Sequence, residues 1–267
     1  MHTTTLQSIL SIWLALGLIT SFYVFAAHLV QPELRPWKIK RTFSFTIGTG
    51  LLAVAFSPPI VAWAHHDIRG HMLQHLLLGM FAPLALVMAS PITLLLRSLP
   101  VRIARFCSRC LRSRFVTGIG HPYTTLLLNI GAMYLLYMTS LYQASLTHTW
   151  LHVMVHVHFL LAGYLYCWSI AGRDSSPFLA PLQVRISALV LGIAAHGYLA
   201  KLMYINLWPS VSFYGEEAAN HEAIQAAAKL MYYGGDVAEL LLAIALFYGW
   251  YKERNRYWAR PFTPAKP

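Results

Sequence analysis

Two pairs of histidines, His71/His75 and His152/His156, stand four residues apart within strongly apolar sequence. On a helix, residues at i and i+4 share one face with β-carbons roughly 5–6 Å apart, so each pair offers two imidazoles to one metal ion. Imidazole is a good ligand for copper, zinc or iron, and nearby thioethers such as Met72, Met154 and Met203 favour Cu(I). If the two helices are neighbours, four nitrogens converge at one depth. His148, His152 and His156 repeat every four residues as one stripe, whereas His158 points to a different face. Gln74 stands beside the first pair. A single histidine in such a setting reads as a helix cap or a contact to lipid headgroups; two matched pairs read as a metal site.

The elements that must position these histidines are membrane-spanning helices. Hydrophobic residues make up 57% of the 267 and charged residues 11%, with a mean hydropathy of +0.53, a balance that excludes a soluble domain of this size. Seven stretches, approximately 6–30, 43–64, 71–96, 122–142, 150–170, 183–207 and 229–251, are long enough to cross a ~30 Å hydrocarbon core. In that core the backbone must satisfy its own hydrogen bonds, so each stretch is expected to be a helix. The first lacks a basic leader and exceeds the apolar length of a signal peptide, so it reads as an uncleaved helix. No linker, repeat or low-complexity tract divides the chain. The expectation is an all-α polytopic bundle of seven transmembrane helices forming a single integral membrane domain over residues 1–267.

Lysine and arginine placement sets the orientation. Arg35, Lys38, Lys40 and Arg41 precede the second stretch, and Arg97, Arg102, Arg105, Arg109, Arg112 and Arg114 follow the third. Arg173 and Arg185 flank the link between the fifth and sixth, while Lys252, Arg254, Arg256, Arg260 and Lys266 lie in the tail. These segments hold 17 of the 20 basic residues on one side, which puts the amino terminus outside and the carboxyl terminus in the cytoplasm. Eleven of the thirteen histidines then fall outside or within the membrane; only His28 and His121 are inner. The formal charge of +11 follows from the same rule and from attraction to anionic lipid, so no nucleic-acid partner is expected. Residues 99–114 read as a basic amphipathic stretch lying in the interface. Cys107 and Cys110 form a CxxC in that inner, reducing segment, half a zinc site without a second pair, and Cys167 reads as buried packing.

Asp236 and Glu239 lie two to three turns inside the seventh stretch. Ionisable groups there pair, relay protons or bind ions. They can orient ligand histidines as outer acceptors, bind metal directly, or pair with Lys201 or Lys229. His196 and Met203, seven apart on one face of the sixth stretch, are candidates for the same cavity, as are Met72, His148 and His158. Pro58/Pro59, Pro83 and Pro91 are expected to interrupt the helices they sit in, and Gly234-Gly235 to permit a close helix approach.

The segment His71-Met-Leu-Gln-His75-Leu-Leu-Leu, followed by Ala82-Pro83-Leu84 and Ser90-Pro91, resembles the third helix of the caa3-type cytochrome c oxidase assembly factors (CtaG-like). His152-Val-Met-Val-His156-Val-His158-Phe159, then Gly163 and Trp168, is similar to that family's fifth helix. Met231-Tyr-Tyr-Gly-Gly-Asp236 through Tyr248-Gly-Trp-Tyr-Lys252 is similar to its seventh. The likeness runs from about the second stretch to the seventh. It implies a non-enzymatic, metallochaperone-like protein of the bacterial inner membrane that assists maturation of a haem–copper cytochrome c oxidase by delivering copper to its catalytic centre. On this reading His71, His75, His152 and His156 hold copper, as Cu(I) or Cu(II), with zinc the second choice. The implied partners are the oxidase subunit carrying the haem–copper centre, other copper chaperones and membrane lipid. No Walker A loop or dinucleotide fingerprint is present, so ATP-driven pumping has no engine in this sequence. Two other readings stay open. A seven-helix zinc hydrolase would use Asp236 or Glu239 as base. A membrane haem protein would use histidines from two helices as axial ligands.

Overall fold

The structure, a computed structural model, describes residues 2–30, 36–172, 179–209 and 217–258. Arg35, Arg173, Arg260 and Lys266, together with the side chains of His2 and Arg256, lie outside the described residues. The chain runs through α1 (His2–Leu29), α2 (Ile39–Ala55), α3 (Pro58–His66), α4 (Ile68–Leu76), α5 (Ala82–Ala89), α6 (Pro91–Ser98), α7 (Val101–Leu111) and α8 (Arg114–Ile119). It continues through α9 (Pro122–Leu126), α10 (Ala132–Met138), α11 (Leu141–Thr147), α12 (Thr149–Ala171), α13 (Leu182–Asn206) and α14 (Glu217–Trp258). Two π-helical turns, Leu77–Phe81 and Leu127–Gly131, join α4 to α5 and α9 to α10. No strand occurs among the described residues.

Among the described residues five helical segments are long and apolar enough to cross a membrane: Leu10–Leu29, Ile68–Ser98, Thr149–Ala171, Leu182–Asn206 and Asn220–Asn255. The count reaches seven if each of two bent pairs crosses as one span, Ile39–Ala55 with Pro58–His66 at 50° and Pro122–Met138 with Leu141–Thr147 at 79°. The expected second and fourth stretches are therefore broken, for different reasons. Before Pro58 the backbone of Ser57 is extended, as the proline ring requires, and Pro58 opens α3. The fourth has no proline at its bend. There the Thr139 hydroxyl bonds the Leu135 carbonyl and accepts from the N–H of Leu141 at 3.2 Å, replacing the helical ladder with a side chain.

The third span is continuous in direction but locally irregular. Asp67 caps α4 by accepting from the Arg69 N–H at 2.8 Å, and its carboxylate also holds the Arg69 guanidinium. Pro83 has no N–H to give the Gly79 carbonyl, and the π turn that contains Gly79 absorbs the mismatch. At Ser90 the backbone turns left-handed, φ 56°, and Pro91 restarts the helix as α6. The Ala89 carbonyl beside this break accepts from the Tyr23 hydroxyl at 2.8 Å, tying α1 to the bundle.

The third and fifth of the expected stretches are in contact: α12 lies along the Leu77–Phe81 turn and α5, while α4 also packs on α14. A β-carbon at Gly163 would strike the carbonyl oxygen of Gly79, so these spans meet backbone to backbone. The expected close approach at Gly234-Gly235 is present: Gly234 admits the Leu76 side chain and Gly235 the ring of His196. Around the histidine end, Ile68, Met72, Met133, Tyr137, Met203 and Met231 form one buried cluster; Leu84, Tyr166, Ile170, Leu189 and Leu246 fill the opposite end. α7 carries no buried residue and sets Arg102, Arg105 and Arg109 against Val101, Ile103 and Phe106, an amphipathic basic helix within the stretch expected at 99–114.

Candidate metal centre

α4 and α12 present three histidines to one small void. His71, His75 and His156 are buried and line it together with Leu78, Val155 and Phe159. Its volume of about 10 Å³ is near that needed for a single water molecule. The rings of His71 and His156 are 6.1 Å apart, centroid to centroid. Tyr142 meets His71 edge-on at 4.8 Å, and Phe159 meets His75 edge-on at 4.4 Å. These ring contacts restrict how far each imidazole can turn.

The nitrogens of this cluster are under-satisfied. Both Nδ1 and Nε2 of His71 are buried without a hydrogen-bond partner, which costs ~1–3 kcal/mol for a polar group left unmatched. His156 is held by a chain of contacts that lacks one proton. Its Nδ1 lies 2.8 Å from the His152 carbonyl and its Nε2 lies 3.1 Å from Gln74 Oε1, while Gln74 Nε2 donates to the Ala55 carbonyl at 3.0 Å. Both ends of the chain are carbonyl acceptors. A neutral imidazole has one N–H, and the amide can donate at only one of its two atoms. With Nδ1–H on the His152 carbonyl, the lone pair of Nε2 faces the lone pairs of Oε1. Turning the amide over only moves the conflict to Ala55. A cation beside Nε2 removes it: a second proton on the ring, which at this depth needs a counter-charge, or a metal ion.

The fourth histidine plays a different part. His152 is half-buried, one turn nearer the helix start, with its ring 4.3 Å from His156 and 5.1 Å from exposed His65. His65, His152 and His156 thus form a file of imidazoles leading from the surface to the void. Among the described residues no three His, Cys, Asp or Glu side chains already stand in a coordinating arrangement, so closing on an ion requires ring rotations. The chemistry of the lining is compatible with a small metal ion, though its geometry is not a coordinating one: three imidazoles border a void of about 10 Å³, and both nitrogens of His71 lack a partner.

The other candidates sort by environment. His148 is exposed ahead of α12. His158 is exposed on another face, as its spacing requires, with Nε2 3.0 Å from the Leu128 carbonyl inside the second π turn. There it satisfies a carbonyl in a segment where the regular ladder is interrupted. Met72 and Met203 are fully buried core residues, and Met154 is 57% exposed. His196 and Glu239 are brought together, Nδ1 to Oε1 at 3.4 Å, both buried. Asp236 is exposed. The ion pairs with Lys201 and Lys229 are not formed, since those ammonium groups lie over the rings of Tyr232 and Tyr204, each at 5.6 Å.

Sequence reasoning passed over Met133 and Tyr137. The Met133 sulphur lies 3.3 Å from His75 Nε2, and Met133 and Tyr137 are each 1% exposed. The one available signal was their i, i+4 spacing in the fourth span, which reads equally as core.

Residues 21–253 match the family described as cytochrome c oxidase caa3 assembly factor. Uncharacterized proteins of Mycobacterium bovis and Mycobacterium tuberculosis are each 27% identical over 239 residues, 84% of this chain and 36% of their own length. One of Mycobacterium leprae is 26% identical over 82% of this chain and 35% of its own. The chain thus spans about a third of the length of the curated relatives it matches. No solved structure matches it. With its helical spans and paired histidines inside the matched region, the chain belongs to the cytochrome c oxidase caa3 assembly factor family.

Proposed function

We propose that this protein binds copper in the membrane and hands it to the haem–copper centre of a cytochrome c oxidase. The observation that carries the reading is the ion-sized void, where His71 has two unpartnered nitrogens and the His156–Gln74 chain lacks a positive charge. His71, His75 and His156 hold the ion, and His152 with His65 passes it between the surface and the void. Lysine and arginine placement supports a mouth on the outer side of a bacterial inner membrane. The acceptor is the oxidase subunit that carries the catalytic centre; the donor is another copper chaperone. Transfer needs no nucleophile, only stepwise exchange between imidazoles. Neither alternative gains from the geometry: the residues lining the void include no carboxylate to act as a hydrolytic base, and its ~10 Å³ is far below the room a porphyrin requires.

The test is metal analysis of the purified full chain by mass spectrometry, alone and as the His75→Ala/His156→Ala double variant. Wild type is expected to carry copper. The double variant should lose it, remain in the membrane and lower oxidase activity in the host. Unchanged copper stoichiometry in the double variant would sink the assignment.

A further inference from the structure

Most of the methionines among the described residues are buried or half-buried in packing. Met72, Met203 and Met231 are fully buried in the cluster around the histidine end, among aliphatic and aromatic side chains. Met133 shares that cluster but differs in what its sulphur faces, the Nε2 of His75 at 3.3 Å. That nitrogen belongs to a ring lining the void; Met133 does not itself line it but touches that ring from another span.

The distance has the right size for two ligands of one ion. With metal–nitrogen and metal–sulphur bonds of about 2.0 and 2.3 Å, as in tetrahedral sites, a 3.3 Å edge subtends about 100° at the metal. Without an ion, the same contact serves as an N–H···S hydrogen bond. Two further arguments concern which ion fits. A thioether is soft and selects Cu(I), whereas zinc gains little from it. Imidazoles and a thioether are also neutral ligands in a buried site, where the desolvation cost of a net charge rises steeply with its size; a monovalent ion leaves one uncompensated charge and a divalent ion two.

We propose that Met133 is a copper ligand, joining His71, His75 and His156 across the third, fourth and fifth spans, and that the ion carried is Cu(I). This rests on the metal-site reading above and adds to it the oxidation state and a residue outside both histidine pairs. No electron transfer is involved: copper arrives, is held and leaves as Cu(I).

X-ray absorption at the copper edge tests this on the full chain in detergent, loaded anaerobically with Cu(I). Wild type should show one sulphur scatterer at about 2.3 Å beside the nitrogens, and protein grown with selenomethionine should show selenium in its place, a readout that needs no altered fold. Met133→Leu should lose the scatterer and bind Cu(I) at least tenfold more weakly in chelator competition, with zinc affinity changed little. Met72→Leu, a volume-matched change in the same cluster, should keep both signal and affinity. A nitrogen-only copper shell in wild type, or a sulphur signal that persists in Met133→Leu, would overturn the inference while leaving copper binding intact. Wild type that binds no copper at all would instead overturn the functional reading on which it rests.

Discussion

Gly163→Ala probes the contact that brings the two histidine spans together. The added methyl would collide with the Gly79 carbonyl oxygen and would sit 2.9 Å from the Gly79 carbonyl carbon, where ordinary contact begins at 3.4 Å. Both obstacles are backbone, so neither can rotate aside and the spans must part. Overpacking of this kind costs ~1–3 kcal/mol. The displacement also reaches the site, because His75 is one helical turn from Gly79 (~6 Å) and His156 about two turns from Gly163 (~10 Å). A constellation of ligands tolerates only about 0.5 Å of error, so parting the spans by that much should weaken copper binding tenfold or more, ~1.4 kcal/mol. Thermal unfolding in detergent reads the first effect and anaerobic chelator competition the second. Gly50→Ala, whose β-carbon meets nothing within 4 Å, is the matched control and should melt no lower than wild type and leave copper binding unchanged. If Gly163→Ala melts and binds copper like wild type, the backbone contact does not set the geometry of the site.

The His196–Glu239 pair should behave as a coupled unit. Glu239→Leu alone is expected to destabilise by ~1–3 kcal/mol, the cost of leaving the buried His196 imidazole without a polar neighbour, and adding His196→Leu should recover at least ~0.5 kcal/mol of that loss in a double-mutant cycle of melting free energies; strict additivity would show that the two do not interact. His158→Ala should leave copper stoichiometry unchanged while lowering stability by ~1 kcal/mol, through the unmet carbonyl of Leu128; loss of copper in this variant would place His158 in the metal site.

What the sequence disclosed follows from where its signals are local. The i, i+4 histidines, the proline at the α2–α3 bend and the separate face of His158 are all short-range patterns, and each has its counterpart in the structure. The contact between the third and fifth spans depends instead on Gly79 and Gly163, 84 positions apart, and a glycine in an apolar run does not announce what will press against it. The bend at Thr139 was illegible for a related reason, since a threonine hydroxyl that bonds back along its helix is common in straight helices too. Met133 carries no motif; its interest comes only from the ring nitrogen that tertiary packing sets beside it. The acids were visible as costly intramembrane charges, but sequence could not show that Glu239 faces His196 while Asp236 faces outward.

The two π-helical turns bear on how such chains diverge in length. A π turn contains one residue more than the α-helical path across the same rise. Losing one residue from Leu127–Gly131, which no proline follows, would therefore return the segment to ordinary helix with the flanking faces still in phase, whereas at Leu77–Phe81 Pro83 keeps the ladder interrupted. The same loss elsewhere in either span would rotate everything beyond it by about 100°, turning ligands or core residues toward lipid. The first turn holds Leu78, which lines the void, and Gly79, which meets Gly163, so the second, Leu127–Gly131, is the place where a single-residue gap between relatives can occur with the void's lining left in place.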